Sequence, residues 1–232
     1  MNVLYVHGFG GPKGALERAV ADAARGGPHA LIFVRWPSGD LREMKARAVV
    51  EVARKVAEQK SIPRGLLEAA KLGTRQASAA WEQAVANVPA GAAELARALE
   101  AARTTKQPSS ILAFSLGCRV VLYAIAAGAI RPGSLEHIVF AASAAPAASF
   151  DVVVPLIEAG TAVTHVWSRK DAVLDRLYPL GGGRLKPSGR EPLDLAGVEN
   201  LEVEVGHRGY ASIAHELWRL ASGEAGRLIS VE

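Results

Sequence analysis

Ser115 stands at the centre of Ala113-Phe114-Ser115-Leu116-Gly117, with small residues two places before it and two places after it. A serine carried on a sharp strand-to-helix turn needs that spacing, because larger side chains at those positions would collide across the turn. The turn lifts Oγ above a sheet edge and sets it at a helix N-terminus. Backbone N–H groups and the helix dipole there favour the negative charge that develops when a hydroxyl attacks a carbonyl. A serine acting as an ordinary helix N-cap is the plain structural alternative. The flanks argue for the nucleophile: Ser110 to Phe114 reads as an apolar strand, and the apolar run that follows reads as a helix as far as Ala129. Cys118 falls inside that helix and reads as a buried structural thiol.

A hydroxyl becomes a nucleophile when a base takes its proton, and in triads built on this turn an acid and then a histidine follow the serine in the chain. The aspartates after Ser115 are Asp151, Asp171, Asp175 and Asp194. Asp171 comes just after a strand ending at Trp167-Ser168, where a strand-end loop brings an acid to the C-terminal edge of the sheet. Asp175 is one helical turn later and is the fallback. His207 follows the last strand, read as Leu201 to Val205, and precedes the closing helix, whereas His215 lies within that helix. The expected set is therefore Ser115 as nucleophile, His207 as general base and acid, and Asp171 orienting the imidazole.

Attack on a carbonyl also needs donors for the oxyanion. His7-Gly8-Phe9-Gly10 follows the first strand, and its glycines let the backbone approach a substrate. The backbone N–H groups of Phe9 and Leu116 are the expected oxyanion hole, with His7 tying the loop to its neighbours. A glycine-rich turn can instead cradle a phosphate, but the G-x-G-x-x-G pattern beginning at Gly8 has Lys13 where its third glycine belongs, and no Gly-Lys-Ser/Thr sequence occurs. Neither a cofactor nor a metal is expected.

Positioning these groups takes a sheet. Apolar runs at Asn2–Val6, Ala30–Arg35, Ser110–Phe114, His137–Ala142, Ala162–Trp167 and Leu201–Val205 read as six strands. Helical periodicity separates most of them, over Lys13–Ala24, Phe150–Ala159 and Ala211–Leu220 among others, which predicts a parallel α/β sheet covered on both faces. Residues 40–106 carry almost no strand signal, and breaks at Pro63 and Pro89 divide them into about three helices. They form a helical insertion after the second strand, within one domain spanning 1–232, and are placed to cover the site as a cap.

The composition suits such a fold: half of the 232 residues are hydrophobic and 22% are charged. The net charge of +4 is spread among 23 acids, and no nucleic-acid motif accompanies it. Along the basic segment from Arg42 to Lys60 and just before it, Leu41, Met44, Ala48, Val49, Val52 and Val56 recur at helical spacing. That segment reads as an amphipathic helix with a solvated face, and contact with a membrane surface is the alternative. A lone cysteine excludes an intramolecular disulfide, and the N-terminus has no basic region followed by a long apolar stretch; both fit a cytoplasmic protein. No apolar run approaches the length of a membrane helix.

From Val3 to Leu220 the chain resembles the α/β-hydrolases, beginning at the strand before the oxyanion loop. Three blocks are similar to a branch that includes the transmembrane and coiled-coil domain hydrolases: Phe114-Ser115-Leu116-Gly117-Cys118-Arg119-Val120, Trp167 to Leu174, and Val198-Glu199-Asn200 leading to Gly206-His207-Arg208-Gly209-Tyr210. That branch has Gly-His before the serine, where this chain has Ala113-Phe114. The resemblance implies a serine hydrolase, carboxylesterase- or lipase-like, that cleaves a small ester or thioester through an acyl-enzyme without metal or cofactor. Two other readings are a membrane-associated lipid hydrolase or acyltransferase, and a non-catalytic binding module on the same scaffold. The second of these predicts a missing triad member, and none is missing.

Overall fold

The computed structural model describes residues 1–9, 14–39, 79–181 and 186–224. Six parallel strands form one sheet: β1 (Asn2–Val6), β2 (Ala30–Val34), β3 (Ser109–Phe114), β4 (His137–Ala141), β5 (Ala162–Trp167) and β6 (Val198–Glu202), in the spatial order β2-β1-β3-β4-β5-β6. β1 and β4 are near-continuous apolar runs, and β3 becomes one after its two serines. Strands covered on both faces by helices bury every side chain, so they show no polar alternation. The edge strands β2 and β6 are only partly buried.

The helices form two layers. α1 (Ala15–Ala23) packs with α6 (Ala214–Ser222), while α2 (Val88–Arg103) packs with α3 (Gly117–Ala126). Short helices α4 (Val154–Glu158) and α5 (Ala172–Gly181) follow β4 and β5. Of the expected insertion, residues 79–86 and α2 are helical. Residues 40–78, and with them the amphipathic segment from Arg42 to Lys60, lie outside the described residues. Among the described residues no helix is long and apolar enough to cross a membrane.

Three elements depart from their sequence reading. β6 is Val198–Glu202, three residues earlier than the expected Leu201–Val205. Val198 pairs with Val163, and after Glu202 only the Val203 N–H bond to Trp167 O (2.9 Å) continues the ladder. An edge strand with one neighbour takes its register from that neighbour, which the alternation of Leu201, Val203 and Val205 does not report. The expected helix over Phe150–Ala159 is a 3₁₀ turn at Ala147–Val153 followed by α4, whose first turn accepts Pro155 because the missing N–H would have no partner there. The closing helix likewise begins as a 3₁₀ segment, His207–Ile213, before α6.

The chain leaves β1 for β2 on one side and returns to place β3 on the other, with Val6 in register with Ala113. This reversal opens a crevice beyond the carboxyl ends of β1 and β3, where α/β sheets bind ligands. His7–Phe9 and Ser115 both emerge there.

Candidate active site

Ser115 occupies a tight turn between β3 and α3, and its backbone shows the cost. Its φ is +53°, a left-handed conformation for a residue with a side chain, which costs on the order of 1–3 kcal/mol. Three hydrogen bonds hold it there: Ser115 N–H donates to Ala141 O at 2.9 Å, and Ser115 O accepts from Cys118 N–H and Ala144 N–H, each at 3.1 Å. Gly117 is needed for a reason the local motif does not reveal. A Cβ there would stand 2.3 Å from Val6 O and 2.7 Å from His7 O, so the end of β1 forbids any larger residue.

The glycine loop meets the serine directly. A Cβ on Gly8 would lie 2.7 Å from Ser115 Cβ and 3.3 Å from Oγ. His7 fastens the loop from below: its Nδ1 is 2.9 Å from Gly8 O and 3.3 Å from Ser38 Oγ, its ring stacks on Trp36, and Trp36 Nε1–H donates to His7 O at 2.9 Å. Burial lowers the His7 pKa, so the ring is neutral. Phe9 follows Gly8 and packs against Trp81 at 5.4 Å between ring centroids; Leu116 follows Ser115 and is fully buried. The expected oxyanion residues therefore flank the serine on its two sides.

Asp171 and His207 are brought together. Asp171 is 0% exposed, and its Oδ2 accepts from His207 Nδ1–H at 2.7 Å. Its other oxygen accepts from the N–H groups of Val173 (3.1 Å) and Leu174 (2.9 Å), so the start of α5 fixes the carboxylate. With Nδ1 protonated, Nε2 is left as the basic nitrogen. The imidazole packs 4.8 Å from the ring of Phe114, the residue before Ser115. Gly8, Phe9, Phe114 and His207 line one cavity of about 280 Å³. No hydrogen bond joins Ser115 Oγ to His207 among the described residues; such contacts commonly tighten once substrate is bound.

The competitors separate on burial. Asp151, Asp175 and Asp194 are exposed, Asp175 being paired with Arg190. His215 is exposed on α6. Cys118 is buried beneath the turn with Sγ 3.5 Å from Ala113 O, and burial pushes its thiol pKa to about 12, so it is not a nucleophile at neutral pH. Among the described residues no cluster of three or more His, Cys, Asp or Glu side chains can hold a metal. Sequence reasoning passed over Trp81, Arg119 and Tyr178, which meet beside this site. Only Arg119, one helical turn beyond the serine, carried a local signal.

No family model matches the chain, and no curated protein matches it. Among solved structures it is similar to a Xanthomonas campestris protein assigned to the α/β-hydrolase superfamily, at 13% identity over 97% of this chain and 99% of that one, with a TM-score of 0.48. A cold-adapted esterase from an Arctic intertidal metagenomic library gives 14% identity, 95% and 81% coverage and a TM-score of 0.45. RedJ, solved with a polyethylene glycol molecule in its active site, gives 14%, 96% and 91%, and 0.42. Likenesses of this size speak to neither substrate nor chemistry. The parallel sheet, the serine turn after β3 and the glycine loop after β1 are features of the α/β-hydrolase architecture.

Proposed function

We propose that this protein is a serine hydrolase that cleaves carboxylic esters or thioesters through an acyl-enzyme on Ser115. The observation that carries the reading is the 2.7 Å contact between a fully buried Asp171 carboxylate and His207, beside the strained turn that carries Ser115. A buried carboxylate against imidazole Nδ1 fixes the tautomer and stabilises the imidazolium that forms during attack.

In the first half-reaction His207 Nε2 takes the Ser115 proton as Oγ bonds to the carbonyl carbon. The backbone N–H groups of Phe9 and Leu116 receive the oxyanion. The tetrahedral intermediate collapses, and His207 returns the proton to the departing alcohol or thiol. Water then repeats the sequence on the acyl-enzyme, giving the acid and free Ser115. Each oxyanion donor contributes about 10²–10³ in rate.

A fluorophosphonate probe tests the reading, because it bonds only to an activated serine hydroxyl. Wild-type protein is expected to label stoichiometrically and Ser115→Ala not at all. Equal labelling of the two, or none of the wild type, removes Ser115 from the chemistry.

A further inference from the structure

The donor proposed on Phe9 has little to hold it locally. Glycines stand on both sides of it in the sequence, Gly8 and Gly10, and a glycine leaves the adjoining peptide planes free to turn. An oxyanion donor lowers the barrier only when its direction is fixed before the charge forms. Contacts from outside the loop must therefore set that direction.

The Phe9 N–H belongs to the peptide plane that also carries the Gly8 carbonyl, and in a trans peptide the two groups point to opposite edges. The carbonyl edge is secured. A carbonyl can only accept, so His7 Nδ1–H donates to Gly8 O at 2.9 Å. One hydrogen bond still lets the plane rock about that edge. The second point of attachment is the Phe9 side chain, whose ring meets Trp81 edge-on, at 5.4 Å between centroids and 67° between planes. Aromatic pairs attract in this arrangement. Gly39 abuts the same ring: a Cβ there would stand 3.1 Å from Phe9 Cε2.

Trp81 is itself braced. It is 5% exposed, lies within the helical residues 79–86, and its ring stands 6.5 Å from that of Tyr178 between centroids. Tyr178 is fully buried on α5, the helix whose first N–H groups hold the Asp171 carboxylate. The Phe9 ring thus leans on a side chain supported by the helix that follows the acid. The indole N–H of Trp81 makes no hydrogen bond among the described residues, so its hold on Phe9 is packing alone.

We propose that Trp81 is a positioning residue for the oxyanion hole: its ring holds Phe9 so that the Phe9 N–H stays aimed at the oxyanion that forms when Ser115 Oγ attacks. The role rests on the reading of Ser115 as nucleophile and of the Phe9 N–H as donor. Trp81 touches no substrate; it acts through Phe9.

Wild type, Trp81→Ala, Trp81→Phe and Gly39→Ala are compared on p-nitrophenyl acetate and on a short alkyl trifluoromethyl ketone. With the ketone, Ser115 Oγ adds to the carbonyl carbon, His207 Nε2 takes the hydroxyl proton, and the carbonyl oxygen becomes a lasting oxyanion. Its inhibition constant therefore reads the hole. Trp81→Ala is expected to lower kcat about 10-fold to 100-fold, since a misplaced donor costs less than a missing one. KM should stay within about twofold, because the lost interaction is made only in the transition state. The inhibition constant of the ketone should rise in proportion to the fall in kcat, and the pH dependence of kcat/KM, set by His207, should not move. Trp81→Phe keeps a ring and loses no hydrogen bond, so it should restore most of kcat. Gly39→Ala crowds the Phe9 ring from an exposed position and should lower kcat in the same way; it decides the matter if Trp81→Ala fails to fold. Unchanged kcat, a loss confined to KM, a loss without weaker ketone binding, a shifted pH profile, or a Trp81→Phe as poor as Trp81→Ala overturns the role of Trp81 and leaves the hydrolase reading standing. A wild type that neither turns over the ester nor binds the ketone removes the hydrolase reading, and the positioning role with it.

Discussion

β5 holds two histidine sites, one in its interior and one beyond its C-terminal end, and they solve opposite problems. In the interior, His165 is 0% exposed and its Nδ1 lies 3.2 Å from Asn200 Oδ1 on β6. The Asn200 amide is itself held by Leu193, whose N–H donates to Oδ1 at 2.8 Å and whose carbonyl accepts from Nδ2 at 2.9 Å. A neutral amide offers no charge to stabilise an imidazolium, and burial lowers the His165 pKa to about 4. Beyond the strand, His207 meets the carboxylate of Asp171 at 2.7 Å. One imidazole is locked neutral inside the sheet. The other has a partner that can stabilise its cation at the moment a proton arrives. The difference lies in the partner's charge, not in burial alone.

Removing that charge at the rim is the most severe way to break the comparison. Asp171→Asn can still accept from Val173 and Leu174 N–H groups, so the fold should persist, while ester turnover is expected to fall about 10⁴-fold through the wrong imidazole tautomer. A loss below tenfold in a steady-state assay would show that the carboxylate does no more than cap α5.

The interior site is tested by acid. The folded pKa of His165, about 4, lies below its ordinary value of 6.5, so between those values the unfolded chain binds the proton more readily. Its contribution is complete above 6.5 and is lost as the pH falls toward 4, a loss of about 3 kcal/mol. Urea unfolding at pH 7 and pH 4.5 should show most of that drop in the wild type and a smaller one in His165→Gln. Identical slopes in the two proteins would rule out His165 as the source.

Giving the interior histidine a carboxylate sharpens the contrast with the smallest expected change in stability. In Asn200→Asp the His165 pKa should rise above its ordinary value, readable by NMR titration of the ring protons. The lost bond to Leu193 O should cost about 1 kcal/mol. A ring still titrating near 4 would mean that desolvation, and not the partner, sets the state of His165.

Legibility in the sequence followed the range of the forces involved. Ala113-Phe114-Ser115-Leu116-Gly117 was readable because a tight turn is a local steric problem, although the neighbours that crowd Gly117 are the carbonyls of Val6 and His7. Asp171 and His207 were readable through chain order and their places after apolar runs, despite a last strand that pairs three residues earlier than its alternation suggests. The segments opening at Ala147 and His207 were not, since choosing a 3₁₀ over an α turn depends on packing that helical periodicity does not express.

By itself the sequence determined the order of strands and helices along the chain, the parallel character of the sheet and the turn that strains Ser115, all governed by side-chain pattern and local sterics. Tertiary structure alone decided that His165 is buried in the sheet against the amide of Asn200. It alone also gathered Trp81, Arg119 and Tyr178 beside the serine. Burial and partner are properties of residues far apart in the chain, and they exist only once the sheet has brought those residues into contact.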